Sequence, residues 1–215
     1  MKEQYFTSDS INTLPNDWYK TYTDPAKVKI QPFRIETAAL LVLDMQRYFL
    51  DPKSHAFIPS APFILEKLSK AADNFISQGR PVIATQHVNE EKDAGRMDDW
   101  WSELITTDHP LADIDPNLKN KTEKIFSKPQ YDAFYKTDLF SWLESKGIKQ
   151  LVIGGVMTHL CCETTARSAF IRGYEVFFLI DGTATYNKEF HQASLQNLAH
   201  GFALLTTVDR LLGEE

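Results

Sequence analysis

Residues 37–44 read TAALLVLD, an unbroken apolar run between Thr37 and Asp44. A strand with one wet face would alternate apolar and polar residues. A run without alternation fits a strand buried on both faces, as in a parallel sheet covered by helices. Further strands are read at PVIAT (81–85), QLVIGG (150–155), YEVFFLID (174–181) and FALLTT (202–207), with TEKIFSK (122–128) as a short strand candidate. Between them lie segments with helical periodicity. APFILEKLSKAADNFISQ (61–78) puts Ile64, Leu65, Leu68, Ala71, Ala72, Phe75 and Ile76 on one face, with Gly79 as its stop. TDLFSWLESKG (137–147) has Thr137 as N-cap, CCETTARSAFIRG ends at Gly173, and KEFHQASLQNLAHG closes the series. Strand and helix alternate, so the expected fold class is α/β: a parallel sheet in a three-layer αβα arrangement.

Residues 1–36 are polar with scattered aromatics and prolines (LPNDWYKTYTDP), and read as an N-terminal arm. Its Trp18, Tyr19 and Tyr22 are expected to pack on something, a neighbouring subunit being one option. Residues 37–215 then form a single domain. The stretch from 87 to about 121, with DDWW at 98–101, is polar and irregular.

The chain has 215 residues and is 43% hydrophobic, enough for a sizeable core. Its net charge of −6 argues against nucleic acid or an anionic membrane as partner, since both want a basic face. MKEQYFTSDSINT has no apolar core of the secretory type, and no run is long enough to span a bilayer. The two cysteines, Cys161 and Cys162, are adjacent and unsuited to a disulfide framework, so a reducing, cytoplasmic setting is expected.

Ligands of open parallel sheets bind beyond the carboxyl ends of the strands, where strand order reverses. The residues in those places are Asp44, then Gln86 and His87, then Ser127 and Lys128, then GVMTHLCC, then Asp181 and Gly182. An acid, a base and a thiol are the material of nucleophilic catalysis. Cys161 sits where a loop meets a helix, a place that lowers a thiol pKa and offers N–H groups to an oxyanion. Each residue also has an ordinary reading: a buried thiol, a loop-capping Asp44, a solvated Lys128. Cys162 points about 100° away from its neighbour and reads as packing. His87 and His159 read as satisfied polar residues without metal spacing. Gly154–Gly155 suits close backbone approach, Trp100 and Trp101 either core or pocket, and Asp181–Gly182 a turn.

Taken together, LLVLDMQRYFL (40–50), FSKPQYDAFYKTDL (126–139) and GGVMTHLCCETTARSAFIRGY (154–174) resemble the isochorismatase-like cysteine hydrolase superfamily from about residue 37 to 210. The resemblance implies an Asp44–Lys128–Cys161 triad and a six-stranded parallel sheet of Rossmann-like order 3-2-1-4-5-6. It implies a cis peptide at Val156–Met157, which aims the Met157 N–H, with that of Cys161, at an oxyanion. Gln86, Trp101, Tyr131 and Phe134 are expected to line the substrate pocket. LDMQRYFL is nearest to true isochorismatases, yet these usually carry Gly in place of Cys161 and Tyr in place of Met157. TQHVNEEKD (85–93) lacks the metal-binding DxH pattern of nicotinamidases, so no metal or other cofactor is expected, and nicotinamide is disfavoured. The expected activity is hydrolysis of a C–N bond in a small amide or carbamoyl substrate through a thioester. The alternatives are an isochorismatase-type vinyl-ether hydrolase and a non-catalytic small-molecule binding protein. A homo-oligomer is expected.

Overall fold

A computed structural model describes residues 1–214. Six strands form one sheet: β1 (Ala38–Leu43), β2 (Val82–His87), β3 (Lys124–Lys128), β4 (Gln150–Val156), β5 (Glu175–Ala184) and β6 (Leu204–Thr206). All neighbours pair in parallel, in the order β3-β2-β1-β4-β5-β6. The order reverses between β1 and β4, so the chain ends of these two strands flank the crevice of the sheet. β1 and β4 are buried along their whole length, as unbroken apolar runs require.

The helices used below are α1 (Leu14–Tyr22), α2 (Ala61–Ser77), α3 (Leu139–Ser145), α4 (Glu163–Ile171) and α5 (Lys188–Gly201). α2 packs on β1, β4 and β5. It buries Ile64, Leu68, Ala71, Ala72 and Phe75. Leu65 is half-buried and Ile76 is 48% exposed, so the apolar stripe is narrower than its periodicity implied. α4 also packs on β5, and α5 packs on β5 and β6. Among the described residues no helix is long and apolar enough to cross a membrane.

Two expectations need correction, and a third is met within the chain. Asp181–Gly182 is not a turn but lies inside β5. The backbone N–H of Val208 donates to Asp181 Oδ1 at 2.9 Å, and Lys67 Nζ lies 3.7 Å from Oδ2, so the buried carboxylate is held within the strand. Burial still pushes its pKa up to about 6. Secondly, Trp18 packs on its own chain. Its ring meets Tyr5, Phe6 and His191 at centroid separations of 6.2, 5.7 and 5.1 Å. Thirdly, Thr137 stands one residue before the N-cap position: α3 starts after Asp138, whose side chain makes no capping bond, while Thr137 Oγ1 accepts from Leu139 N at 3.3 Å.

The glycine pair in β4 admits close approach. A Cβ on Gly155 would stand 2.0 Å from the Leu43 carbonyl oxygen, and its φ of +114° already excludes other residues. A Cβ on Gly154 would meet Leu68 at 2.5 Å. β1 and β4 are therefore drawn together just before Asp44 and the segment that leads to Cys161.

Candidate active site

Asp44 follows β1 with φ +52°, a left-handed conformation that Asp tolerates better than most residues. Thr85 of β2 holds it: Thr85 Oγ1 donates to Asp44 Oδ1 at 2.7 Å, and Asp44 N donates to the Thr85 carbonyl at 3.2 Å. Lys128 ends β3, two strands away, and its side chain reaches past the end of β2. Its Nζ lies 2.8 Å from Asp44 Oδ2, and donates to the Gln130 carbonyl at 2.9 Å and to Cys161 Sγ at 3.3 Å. Both charged groups are fully buried. Cys161 lies in a π-helical turn, Thr158–Cys162, that follows β4 and leads into α4. The Val156–Met157 peptide is cis. The three residues thus meet at the sheet's reversal point, from three different strands.

Gln46 fixes the frame around them. Its Oε1 accepts from His87 N at 2.8 Å, and its Nε2 donates to the carbonyls of His87 and Ala112 at 3.0 and 2.8 Å. Strand alternation puts Thr85 and His87 toward the triad and Gln86 on the other side. His87 Nδ1 is 3.4 Å from Lys128 Nζ. Burial, then the Lys128 charge, lower the His87 pKa to about 4, so the imidazole is neutral.

Burial alone would lower the Lys128 pKa. Asp44 outweighs it, with help from Cys161, and the ammonium is retained. The thiol contradicts the expectation of a depressed pKa. Burial first, then the Asp44 carboxylate, push Cys161 up to about 12, against the opposing effect of Lys128. A helix-terminal partial charge is weaker than the loss of water around a buried sulfur beside a carboxylate. The sign has a direct consequence for alkylation of Cys161 by iodoacetamide. In the wild type, labelling should rise only well above the free-thiol range of about 8.5. Asp44→Asn removes a charge that disfavours the thiolate, so its labelling curve should move to lower pH. Lys128→Met should move it higher. Adduct mass against pH reads both shifts, and equal curves in all three proteins would disprove the electrostatic coupling.

The thiol opens into a cavity of about 190 Å³. Trp101, Tyr131, Met157 and Leu160 form its apolar lining near Cys161, and Tyr48, His55, Glu103 and Tyr186 lie in the same lining. Trp101 Nε1 donates to the Tyr131 hydroxyl at 2.9 Å, so the two rings form one wall. The irregular stretch after β2, which contributes Asn89 and residues 101–105, roofs the cavity. Gln86 and Phe134, expected in the pocket, are not part of the lining. Gln86 Nε2 donates to the Ala112 carbonyl at 3.0 Å. Phe134 is buried, stacked on Tyr174 at 6.1 Å, with the Arg172 guanidinium over its ring at 4.8 Å. Trp100 is 77% exposed, whereas Cys162 is buried in the core. His159 stacks on Phe190 and bonds to Thr185 Oγ1 at 2.6 Å, outside the cavity.

Reading the sequence missed Thr85, Gln46, Tyr48, His55 and Glu103. Thr85 carried a signal, as a polar residue inside an otherwise apolar strand. Gln46 lies two residues after Asp44 and was equally accessible to the reading.

The isochorismatase domain model matches residues 38–210. The chain belongs to the isochorismatase family. This isochorismatase-family hydrolase is 40% identical over 179 residues to nicotinamidase 3 of Arabidopsis thaliana, covering 81% of this chain and 86% of the relative. It is 30% identical to the isochorismatase of Bacillus subtilis, covering 82% of this chain but spanning only 57% of that relative's length. A cysteine hydrolase from Pseudomonas syringae pv. phaseolicola shares the fold with a TM-score of 0.81 at 24% identity, covering 86% of this chain and 94% of that one. The six-stranded order and the isochorismatase family expected from the sequence are both found.

The residues of this family member do not suit a divalent metal beside the nucleophile. Its nearby imidazole, His87, faces an ammonium, and among the described residues no three His, Cys, Asp or Glu side chains converge as ligands. No step is drawn through a metal.

Proposed function

We propose that this isochorismatase-family hydrolase cleaves the C–N bond of a small, flat carboxamide, with Cys161 as nucleophile. The observation that carries the reading is the placement of Lys128 Nζ between the Asp44 carboxylate at 2.8 Å and the Cys161 sulfur at 3.3 Å, at a cavity wall. Asp44, Lys128 and the neutral thiol sum to zero charge. Losing the thiol proton to solvent would leave a net charge in a buried site, which is why the thiol pKa is high. Passing the same proton to Asp44 leaves the sum unchanged. The thiolate forms as it attacks the carbonyl carbon, and Lys128 stabilises it. The N–H groups of Met157 and Cys161 receive the oxyanion. Asp44 returns the proton to the leaving nitrogen as the C–N bond breaks, releasing ammonia and a Cys161 thioester. Water then attacks the thioester, giving the carboxylic acid and the free thiol.

The relative named a nicotinamidase brings a pyridine carboxamide into this class. The missing DxH pattern had weighed against that substrate; a mechanism built on the thiol alone does not require the pattern. Vinyl-ether cleavage of the isochorismatase type needs only an acid, and leaves Lys128 and Cys161 without a task. The reading is tested by incubating the enzyme with a panel of aromatic carboxamides, assaying ammonia, and quenching for mass spectrometry. Ammonia release with an acyl adduct on Cys161 is expected. Turnover of isochorismate without any adduct, and no ammonia from the panel, would overturn it.

A further inference from the structure

The lining of the same cavity also carries a group that the chemistry described above does not use. Tyr48 donates its hydroxyl to Glu103 Oε2 at 2.9 Å. His55 Nδ1 lies 3.2 Å from the same oxygen, and His109 Nε2 3.6 Å from Oε1. The Tyr48 pKa is raised, by burial first and then by its bond to Glu103, so the phenol keeps its proton as a donor. Three groups thus hold one carboxylate in place, and its side chain, part of the cavity lining, remains 45% exposed.

The charge inventory of the lining is one-sided. No Lys or Arg is among the lining residues, and Glu103 is their one formally charged side chain. Lys128 is buried behind the sulfur and neutralised by Asp44. Lys2, the cation near the mouth, donates to the His55 carbonyl and sits over the Tyr186 ring at 4.7 Å, outside the lining. A carboxylate-bearing substrate would lose water without gaining a cationic partner, and would meet Glu103 as a like charge.

We infer that Glu103, held by Tyr48, His55 and His109, is a recognition subsite for the end of the substrate remote from the scissile carbonyl. It accepts a hydrogen-bond donor or a cationic group and refuses a carboxylate. This rests on the amide reading for the reactive end only. It narrows the substrate class to neutral or cationic amides, and sets anionic substrates, including carboxylate-bearing carbamoyl compounds, outside it.

The test separates binding from turnover. Benzamide, 3-(aminomethyl)benzamide and 3-carboxybenzamide are titrated calorimetrically into Cys161→Ala protein at pH 8. The aminomethyl compound should bind at least about tenfold more tightly than the carboxy compound, as expected for a charge-assisted hydrogen bond against a like-charge contact. Adding Glu103→Gln should bring that ratio close to one, and Glu103→Asp should retain most of it. A role confined to holding the loop would weaken all three ligands alike and leave the ratio intact. The inference is overturned if the carboxy compound binds as well as the aminomethyl compound, if the aminomethyl compound does not bind, or if the ratio survives Glu103→Gln. The wild-type enzyme is assayed for ammonia from the same three compounds. A binding ratio as expected without any hydrolysis would retire the amide reading and leave the subsite standing.

Discussion

On the proposed covalent route, replacing Cys161 with alanine should reduce carboxamide turnover by roughly 10⁴- to 10⁶-fold, the scale of loss when a covalent nucleophile is removed. The reasoning is geometric. The sulfur is the one nucleophilic atom that touches Lys128 within the triad and also faces the cavity. Alanine leaves the Asp44–Lys128 ion pair in place, so the fold and the pocket should survive, and the loss should fall on kcat. Cys162→Ala is the matched control. That thiol is buried in the core and outside the lining, so its variant should lose stability before it loses turnover. Asp44→Asn is a poor discriminator, because an acid-only mechanism and a covalent one both require the carboxylate. Steady-state ammonia release by Cys161→Ala and Cys162→Ala decides the matter: release by Cys161→Ala within a fewfold of wild type would rule out covalent catalysis by this thiol.

Lys128→Met should be the most damaging single change to stability. It removes the ammonium from a fully buried carboxylate, leaving Asp44 with the Thr85 hydroxyl and the thiol as its side-chain partners. Breaking a buried pair from one side costs about 3–5 kcal/mol. In a chain of this size each kcal/mol moves Tm by about 2–4 °C, so a fall on the order of 10 °C is expected in a thermal melt. Removing the second charge should reverse much of this. The double variant Asp44→Asn/Lys128→Met should melt above Lys128→Met alone, while remaining inactive. If the double variant melts lower still, in the sum of the two single losses, the pair is not coupled as its 2.8 Å separation requires.

The fold was legible because a sheet buried on both faces leaves a plain mark: apolar runs without alternation, ending abruptly in a polar residue. Asp44 is such an ending and Cys161 follows another such run, whereas Lys128 ends an edge strand whose burial alternates. Asp181 shows the limit of that logic. An Asp-Gly pair after an apolar run suggests a turn, and what keeps it in the strand is Val208 N–H and Lys67, both distant in sequence. Gln86 was misplaced by one step of strand alternation, since it is Thr85 and His87 that face the triad. Glu103 and His55 had no local signal at all: they stand 48 residues apart and acquire meaning only when two loops meet over the cavity. The thiol pKa failed for a related reason, because desolvation depends on everything packed around the sulfur.

The contacts of Tyr5 bear on the order in which this protein becomes active during synthesis. Its hydroxyl accepts from Thr185 N at 2.9 Å and meets His191 Nδ1 at 3.1 Å, and the same imidazole nitrogen is 3.0 Å from Thr158 Oγ1, in the turn that carries the nucleophile. The segment bearing Tyr5 leaves the ribosome early, yet every partner of its hydroxyl lies beyond residue 157. It must wait, unpaired, while more than 150 residues are added, and closing so long a loop is a slow, late event. The turn that carries Cys161 therefore gains its rear support only when segments more than 150 residues apart meet, and a nascent chain halted short of α5 would hold Asp44, Lys128 and Cys161 without that support.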